Sequence, residues 1–266
     1  MMRSLAFSAL PSLLVLLLSS PSWAEDPAVE KGLAIAKAAD AKGTGYGDYS
    51  ASGEMILRDS GGSESRRNFR IATREAPDDG DMSRITFEWP ADIKDTALLT
   101  LAHQVDEDEQ WLYLPALKRV KRISSSGRSG SFVASEFAYE DMIGEAVERY
   151  TYRWLGDEPC PVEPTLICHV QERIPAKSNS GYSRQVAWLD IDEYRVFKVD
   201  YYDLKHSLLK TMTVEDYSQY LERYWRPAKM SMINLQTKRS TDMYWRDYEF
   251  GKGLTAEDFS TRARCV

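Results

Sequence analysis

The chain has 266 residues, 28% of them charged, with 34 Lys and Arg against 41 Asp and Glu and a formal net charge of −7 at pH 7. A protein that holds nucleic acid through its overall field carries the opposite sign, so no nucleic acid is expected as a partner. The same density of charge leaves too little continuous apolar surface for the outer band of a membrane-spanning barrel.

Residues 1–24 read as a cleaved signal peptide. Arg3 precedes an apolar run from Leu10 to Leu18, broken by Pro11 and Ser12, and Pro21-Ser22-Trp23-Ala24 supplies small residues ahead of a cleavage site. The run is shorter than the roughly 20 residues that a membrane span needs. Residues 25–266 are then expected as a single exported domain in the periplasm. Val29, Leu33, Ile35 and Ala36 predict an amphipathic helix from Pro27 to Ala41, stopped at Gly43-Thr44-Gly45. Alternation follows: Phe69 and Ile71, then Ile85, Phe87 and Trp89, Val186 and Trp188, Phe197, Val199 and Tyr201. Turn residues separate these runs at Gly61-Gly62, Pro77 to Gly80, Asn179-Ser180-Gly181 and Gly251-Lys252-Gly253. The pattern predicts about ten to twelve strands in an antiparallel meander. A second helical piece is expected over Ser135–Ile143. Thr255 to Asp258 has the form of a capping box that folds Phe259 back onto the sheet. One sheet of this size must curl to bury its apolar face. The fold class is therefore mainly β with a few helices, a single antiparallel sheet that curls or closes, its concave side plugged or capped by helices.

Residues 110–139, QWLYLPALKRVKRISSSGRSGSFVASEFAY, carry the functional signal. An aromatic strand runs through a proline turn into a cationic strand and then a Ser/Gly loop. That combination suits a ligand with an apolar body and an anionic head. Trp89, Leu99, Trp111, Tyr113, Phe132, Phe137 and Trp188 are the candidate cavity or lid residues, with core packing as the alternative for each. Lys118, Arg119, Lys121, Arg122 and Arg128 are the candidate headgroup or partner contacts, with a solvated strand face as the alternative. The acidic run Asp106 to Glu109 reads as a solvated turn. Cys160 and Cys168, with seven residues between them, read as a small disulfide loop; metal ligation with His169 is the weaker alternative, since no second Cys pair exists. Cys265 is left without a role. No metal, no cofactor and no catalytic group is predicted. His103, His169 and His206 sit in no ligand or nucleophile motif, Ser129 and Ser131 lack a nucleophile elbow, and Asp190, Asp192 and Glu193 read as solvated turn acids.

QWLYLPALKRVKRI followed by SGSFVASEFAYEDM resembles the signature of outer-membrane lipoprotein-sorting proteins of the LolA-like superfamily. TALLT at 96–100, VFKVDYYD at 196–203, LLKTMTVEDY at 208–217 and YWRPAKMSMINLQT at 224–237 extend the likeness from about Tyr49 to Phe259. The resemblance implies a LolA-like half-open barrel whose apolar cavity takes acyl chains. It implies a periplasmic carrier that shuttles a lipid or lipoprotein between envelope membranes, with transient membrane contact. Members of this longer branch resemble partners of RND-type exporters, so an inner-membrane exporter of that type and an outer-membrane acceptor are the implied partners. The alternatives are an accessory lipid-binding subunit of such an exporter and a lipid hydrolase.

Overall fold

The computed structural model describes residues 26–261 except 78, 105 and 145. The predicted signal peptide and Cys265 lie outside the described residues. Asp26 caps the first helix, α1 (Pro27–Gly43), by accepting from the Ala28 amide at 2.9 Å, and Pro27 sits where a helix has no use for an amide. The strands follow in two runs. The first comprises β1 (Asp48–Arg58), β2 (Glu64–Arg74), β3 (Met82–Trp89), β4 (Ala97–Leu101), β5 (Glu109–Leu114) and β6 (Arg119–Ile123). The second comprises β7 (Tyr150–Pro159), β8 (Ile167–Pro175), β9 (Tyr182–Asp190), β10 (Val196–Asp203), β11 (Leu208–Tyr220), β12 (Tyr224–Asn234) and β13 (Ser240–Phe250).

All 13 strands form one antiparallel sheet in the order β6-β5-β4-β3-β2-β1-β13-β12-β11-β10-β9-β8-β7. Each run is a meander, and the two are joined at β1 and β13, where Gly53 faces Trp245 and Met55 faces Met243. The sheet does not close: β6 and β7 are its two edges. Alternation sends Met55, Leu57, Phe69, Ile85, Phe87, Leu98, Leu112, Val199, Met212, Met232 and Met243 to one face, where they form the core. Gly53 is required there, because a Cβ at that position would lie 2.2 Å from the Phe69 ring.

Two segments cover this face. Helix α1 packs on the β7 end. Gly32 brings it against the strand so closely that a Cβ would lie 2.8 Å from the Arg153 and Trp154 amides, and Gln171 donates to the Gly32 carbonyl at 2.7 Å. The connection from β6 to β7 covers the other end. It is not the helix predicted over Ser135–Ile143. Its backbone turns back on itself, with the Phe132 amide donating to the Phe137 carbonyl at 2.7 Å and Tyr139 to Gly130 at 3.0 Å. Ser135 Oγ donates to the Phe132 carbonyl at 2.7 Å, a local bond of the kind that competes with helix formation. Short 3-10 turns at Ser125–Gly127, Phe132–Ala134, Tyr139–Met142 and Val147–Arg149 are the only helix among the described residues of the connection.

This turn is pinned into the core. Phe132 is 0% and Phe137 1% exposed, and the Phe132 ring lies 5.7 Å from that of Phe87. Lys210 of β11 donates to Asp141 at 2.7 Å and to the Glu136 carbonyl at 3.0 Å, and the ion pair is almost wholly buried. Tyr182 Oη donates to the same carboxylate at 2.8 Å. Gln110 donates to the Tyr139 carbonyl at 2.8 Å, Glu136 N to Thr241 Oγ1 at 3.0 Å, and Arg67 to the Val133 carbonyl. Glu140 accepts from Ser180 Oγ at 2.7 Å and the Gly181 amide at 2.9 Å.

The disulfide between Cys160 and Cys168 is present, buried with Phe197 at the β7–β8 turn. Thr255 and Asp258 form the capping interaction, with the Thr255 amide donating to the carboxylate at 2.8 Å, and Phe259 is buried. No described helix is long and apolar enough to cross a membrane.

Removing a ring from this core leaves a cavity, so Phe137→Ala is expected to lower unfolding free energy by about 3–5 kcal/mol in urea titration. Burial, assisted by the neighbouring Asp141 charge, raises the Glu140 carboxyl above its usual range. Its ionised form therefore costs stability, absent below the unfolded pKa and growing as pH rises through the folded one. Glu140→Gln keeps an acceptor oxygen without the charge. Its Tm at pH 7.5 should exceed that of the parent, and the gain should vanish near pH 4; an equal gain at both pH values would rule out charge as the cause.

Candidate functional site

An open hollow lies on the face of the sheet away from the core. It is a groove of about 510 Å³, within the range typical of ligand pockets. Register builds its floor from two neighbouring rows across β2 to β6. One row runs Ala72, Arg84, Leu99, Trp111 and Arg122; the other runs Arg70, Thr86, Ala97, Tyr113 and Val120. Small side chains at Ala72, Thr86 and Ala97 leave the depression, and Trp111, Tyr113 and Val120 make it apolar towards β6. Five strands at a spacing of about 4.8 Å give it a length of about 19 Å. Ser260 and Thr261, past the last strand, border the opposite end, where Arg84 donates to the Asp258 carbonyl at 2.7 Å.

The rim is charged. Arg70 pairs with Glu88 at 2.8 Å. Arg122 lies 5.5 Å over the Trp111 ring and 3.2 Å from Glu109, which also accepts from Trp111 Nε1 at 3.2 Å. Lys118, Arg119 and Lys121 are exposed, and none has a carboxylate partner among the described residues. A second hollow, of about 410 Å³, is lined by Asp40, Glu75, Asp79 and Asp81, the wrong sign for an anionic ligand.

A family model described only as an uncharacterized protein matches residues 79–263. An outer membrane lipoprotein-sorting protein domain from Vibrio parahaemolyticus is 45% identical; the match covers 88% of this chain and 98% of that one, with a TM-score of 0.85. The chain belongs to the LolA-like lipoprotein-sorting family. A DUF1329 family protein from Desulfovibrio piger is 27% identical over 90% of this chain and 99% of its own, with a TM-score of 0.83. A LolA superfamily protein from Nitrosomonas europaea shares the fold at 17% identity, over 87% of this chain and 98% of that one, with a TM-score of 0.69. No curated protein matches the chain.

In this LolA-like sheet the predicted ligand residues separate into four places. Leu99, Trp111 and Tyr113 come together in the groove. Trp89 is exposed at the end of β3, beside the groove's Glu88. Of the two readings kept for Phe132 and Phe137, cavity or lid against core packing, their placement is the core, held by the anchors described above. Trp188 lies elsewhere: it packs beside the disulfide, donates to Glu158 at 2.6 Å, and carries Lys198 Nζ 4.2 Å above its ring. Arg70, Arg84, Ala72 and Ala97 were missed, because small residues and a strand's polar side announce nothing until register aligns them.

The predicted cations divide as well. Lys118, Arg119, Lys121 and Arg122 are solvated on or next to β6. Arg128 is buried and committed: it donates to the Asp108 carbonyl and lies 3.3 Å from Glu107. Asp108 is likewise no solvated turn acid. It accepts from Arg149 Nη1 at 2.5 Å and from the His103 amide at 3.0 Å, and its carboxylate stands 3.8 Å from Arg128. Burial pushes the Asp108 carboxyl up, but the Arg149 hydrogen bond and charge, the His103 amide and Arg128 outweigh it and hold the group below its ordinary range. Asp190, also read as solvated, is buried. It accepts from the amides of Asp192, Glu193 and Arg195 at 3.2, 2.7 and 2.9 Å and so shapes its own turn. His103 and His169 hydrogen-bond to Asp79 and Asp157 at 2.6 and 2.5 Å, and His206 occupies the β10–β11 turn.

Asp108→Asn strips the charge that balances two arginines and should cost about 3–5 kcal/mol by urea titration at pH 7. The difference from the parent should shrink as pH falls through the lowered pKa of Asp108, because its stabilisation exists only while it is ionised.

Proposed function

We propose that this protein is a periplasmic carrier that holds an acyl chain of a lipid or lipoprotein in the β2–β6 groove, with the anionic head against the cations of β6, and moves it between envelope membranes. One observation supports this reading above the others. The apolar end of the groove, Trp111, Tyr113 and Val120, has Arg122 on its own face of the edge strand, while Lys118 and, from the opposite face of β6, Arg119 and Lys121 add exposed cations that have no carboxylate partner among the described residues. Each methylene buried contributes about 0.8 kcal/mol, so a chain laid along several strands gains affinity without any specific contact. The unpaired ammonium and guanidinium groups add selection for an anionic head. The likeness to a domain named for lipoprotein sorting agrees with such a cargo. A donor membrane complex, of the RND type that the sequence resemblance implies, and an outer-membrane acceptor belong to this proposal and rest on the resemblance.

The test is native mass spectrometry of the mature protein from a periplasmic extract, followed by identification of what travels with it. A stoichiometric lipid or acylated peptide is expected in the parent. Trp111→Ala combined with Tyr113→Ala should weaken rebinding of the extracted lipid about tenfold, equivalent to about 1.4 kcal/mol, with the fold intact by circular dichroism. A parent that is apo on purification and stays apo after incubation with envelope lipids would sink the carrier reading. Lipid bound equally well by the double variant would move the site off the groove.

A further inference from the structure

The two edges of the sheet are treated differently. At β7 the chain lays α1 against the strand, with Gly32 in backbone-to-backbone contact. At β6 no described element is laid down. Residues 119–123 pair with β5 alone, and their backbone groups have no other described backbone partner. Such an edge is a template for another strand, and proteins that leave one open protect it with charge. Here the charge is of one sign: Lys118, Arg119, Lys121 and Arg122 stand within five consecutive positions on a chain whose net charge is −7. Apolar contact is offered beside it, since Leu117 is 63% and Val120 40% exposed.

We propose that β6 is a docking edge for an extended, acidic segment of a partner protein, which adds to the sheet as a further antiparallel strand. The charges exclude the wrong partners. A second copy pairing β6 against β6 would set cation against cation, so the edge rejects itself. An acidic strand turns the same repulsion into attraction and satisfies the free amides and carbonyls, which a bare membrane surface cannot do. The register sets the partner's pattern. Residues opposite one another share a face, so Arg119, Lys121 and Arg122 call for acids and Val120 for an apolar side chain. Read along the incoming antiparallel strand, the favoured order is acid, acid, apolar, acid. This inference does not rest on the cargo reading, and it is tested on lipid-free protein.

The probe is a fluorescein-labelled peptide containing Glu-Glu-Val-Glu flanked by Thr, titrated by anisotropy at low salt, with amide hydrogen exchange reporting where it sits. Binding with protection of residues 119–123 is expected. Two N-methylated versions, each blocking one alternating set of amides, separate strand pairing from simple charge attraction. One version should bind nearly as the parent peptide does, and the other should fail. Arg119→Glu with Lys121→Glu should lower affinity at least about tenfold, with Tm unchanged because both residues are exposed. No binding of the unmodified peptide would overturn the proposal. So would equal binding of both methylated peptides, affinity unchanged by the charge reversal, or protection of 119–123 by anionic phospholipid vesicles in place of the peptide.

Discussion

The structure depends on how an open sheet finds something to put on its apolar face. A closed barrel fills itself from opposite walls; this sheet stops short at β6 and β7, so its own side chains cannot meet across the gap. The β6–β7 connection makes up the deficit by carrying Phe132 and Phe137 into the space. Hydrophobic contact alone would leave that connection's orientation loose. Lys210 fixes it, because a buried ammonium in reach of Asp141 and the Glu136 carbonyl has one satisfactory arrangement, and Tyr182 closes the set from β9, two strands away. Unpaired, each of those groups would cost several kcal/mol, so the network selects one seating of the connection as well as holding it.

Filling the core face moves the available volume to the other side. There the strands present short side chains in two registered rows, flanked by aromatic residues towards β6 and by the segment after β13 at the far end. The groove is therefore a surface feature of a rigid sheet and not an interior cavity with a door. A ligand there would be bound by preformed walls and would remain open to solvent along one side. That geometry suits a cargo passed from one binding surface to another more than one sequestered for chemistry. The groove and the exposed edge strand share β6, so whatever docks on the edge sits directly beside the apolar floor.

Most of the architecture was legible in the residues. Strands such as Phe197-Lys198-Val199-Asp200-Tyr201 declare their period, and Pro27 behind Asp26 declares the start of α1. Trp111 and Tyr113 could be singled out because an aromatic strand running into a cationic one stands out, and Leu99 because it sits in the apolar run just before it. The connection between β6 and β7 could not be read. Its conformation is dictated by Arg67, Gln110, Lys210 and Thr241, residues on four strands that no local window contains. Arg128, Asp108 and Asp190 failed for a related reason. A charge in a sequence carries no mark of its burial, and the partners that make burial tolerable to Arg128 and Asp108, Arg149 among them, lie some twenty to forty positions away.

The β1–β13 pairing has a consequence for assembly in time. Tyr49 is matched with Phe250, so the strand formed first along the chain waits for one of the last. Until that seam forms, each meander exposes one half of a shared apolar surface, and neither half holds the whole core. Non-local pairing of this kind forms late and slowly relative to local hairpins. A polypeptide emerging amino-terminus first would stay incomplete until nearly all of it had emerged. The architecture thus delays its own maturation and keeps the nascent chain pliable until β13 is there to pair.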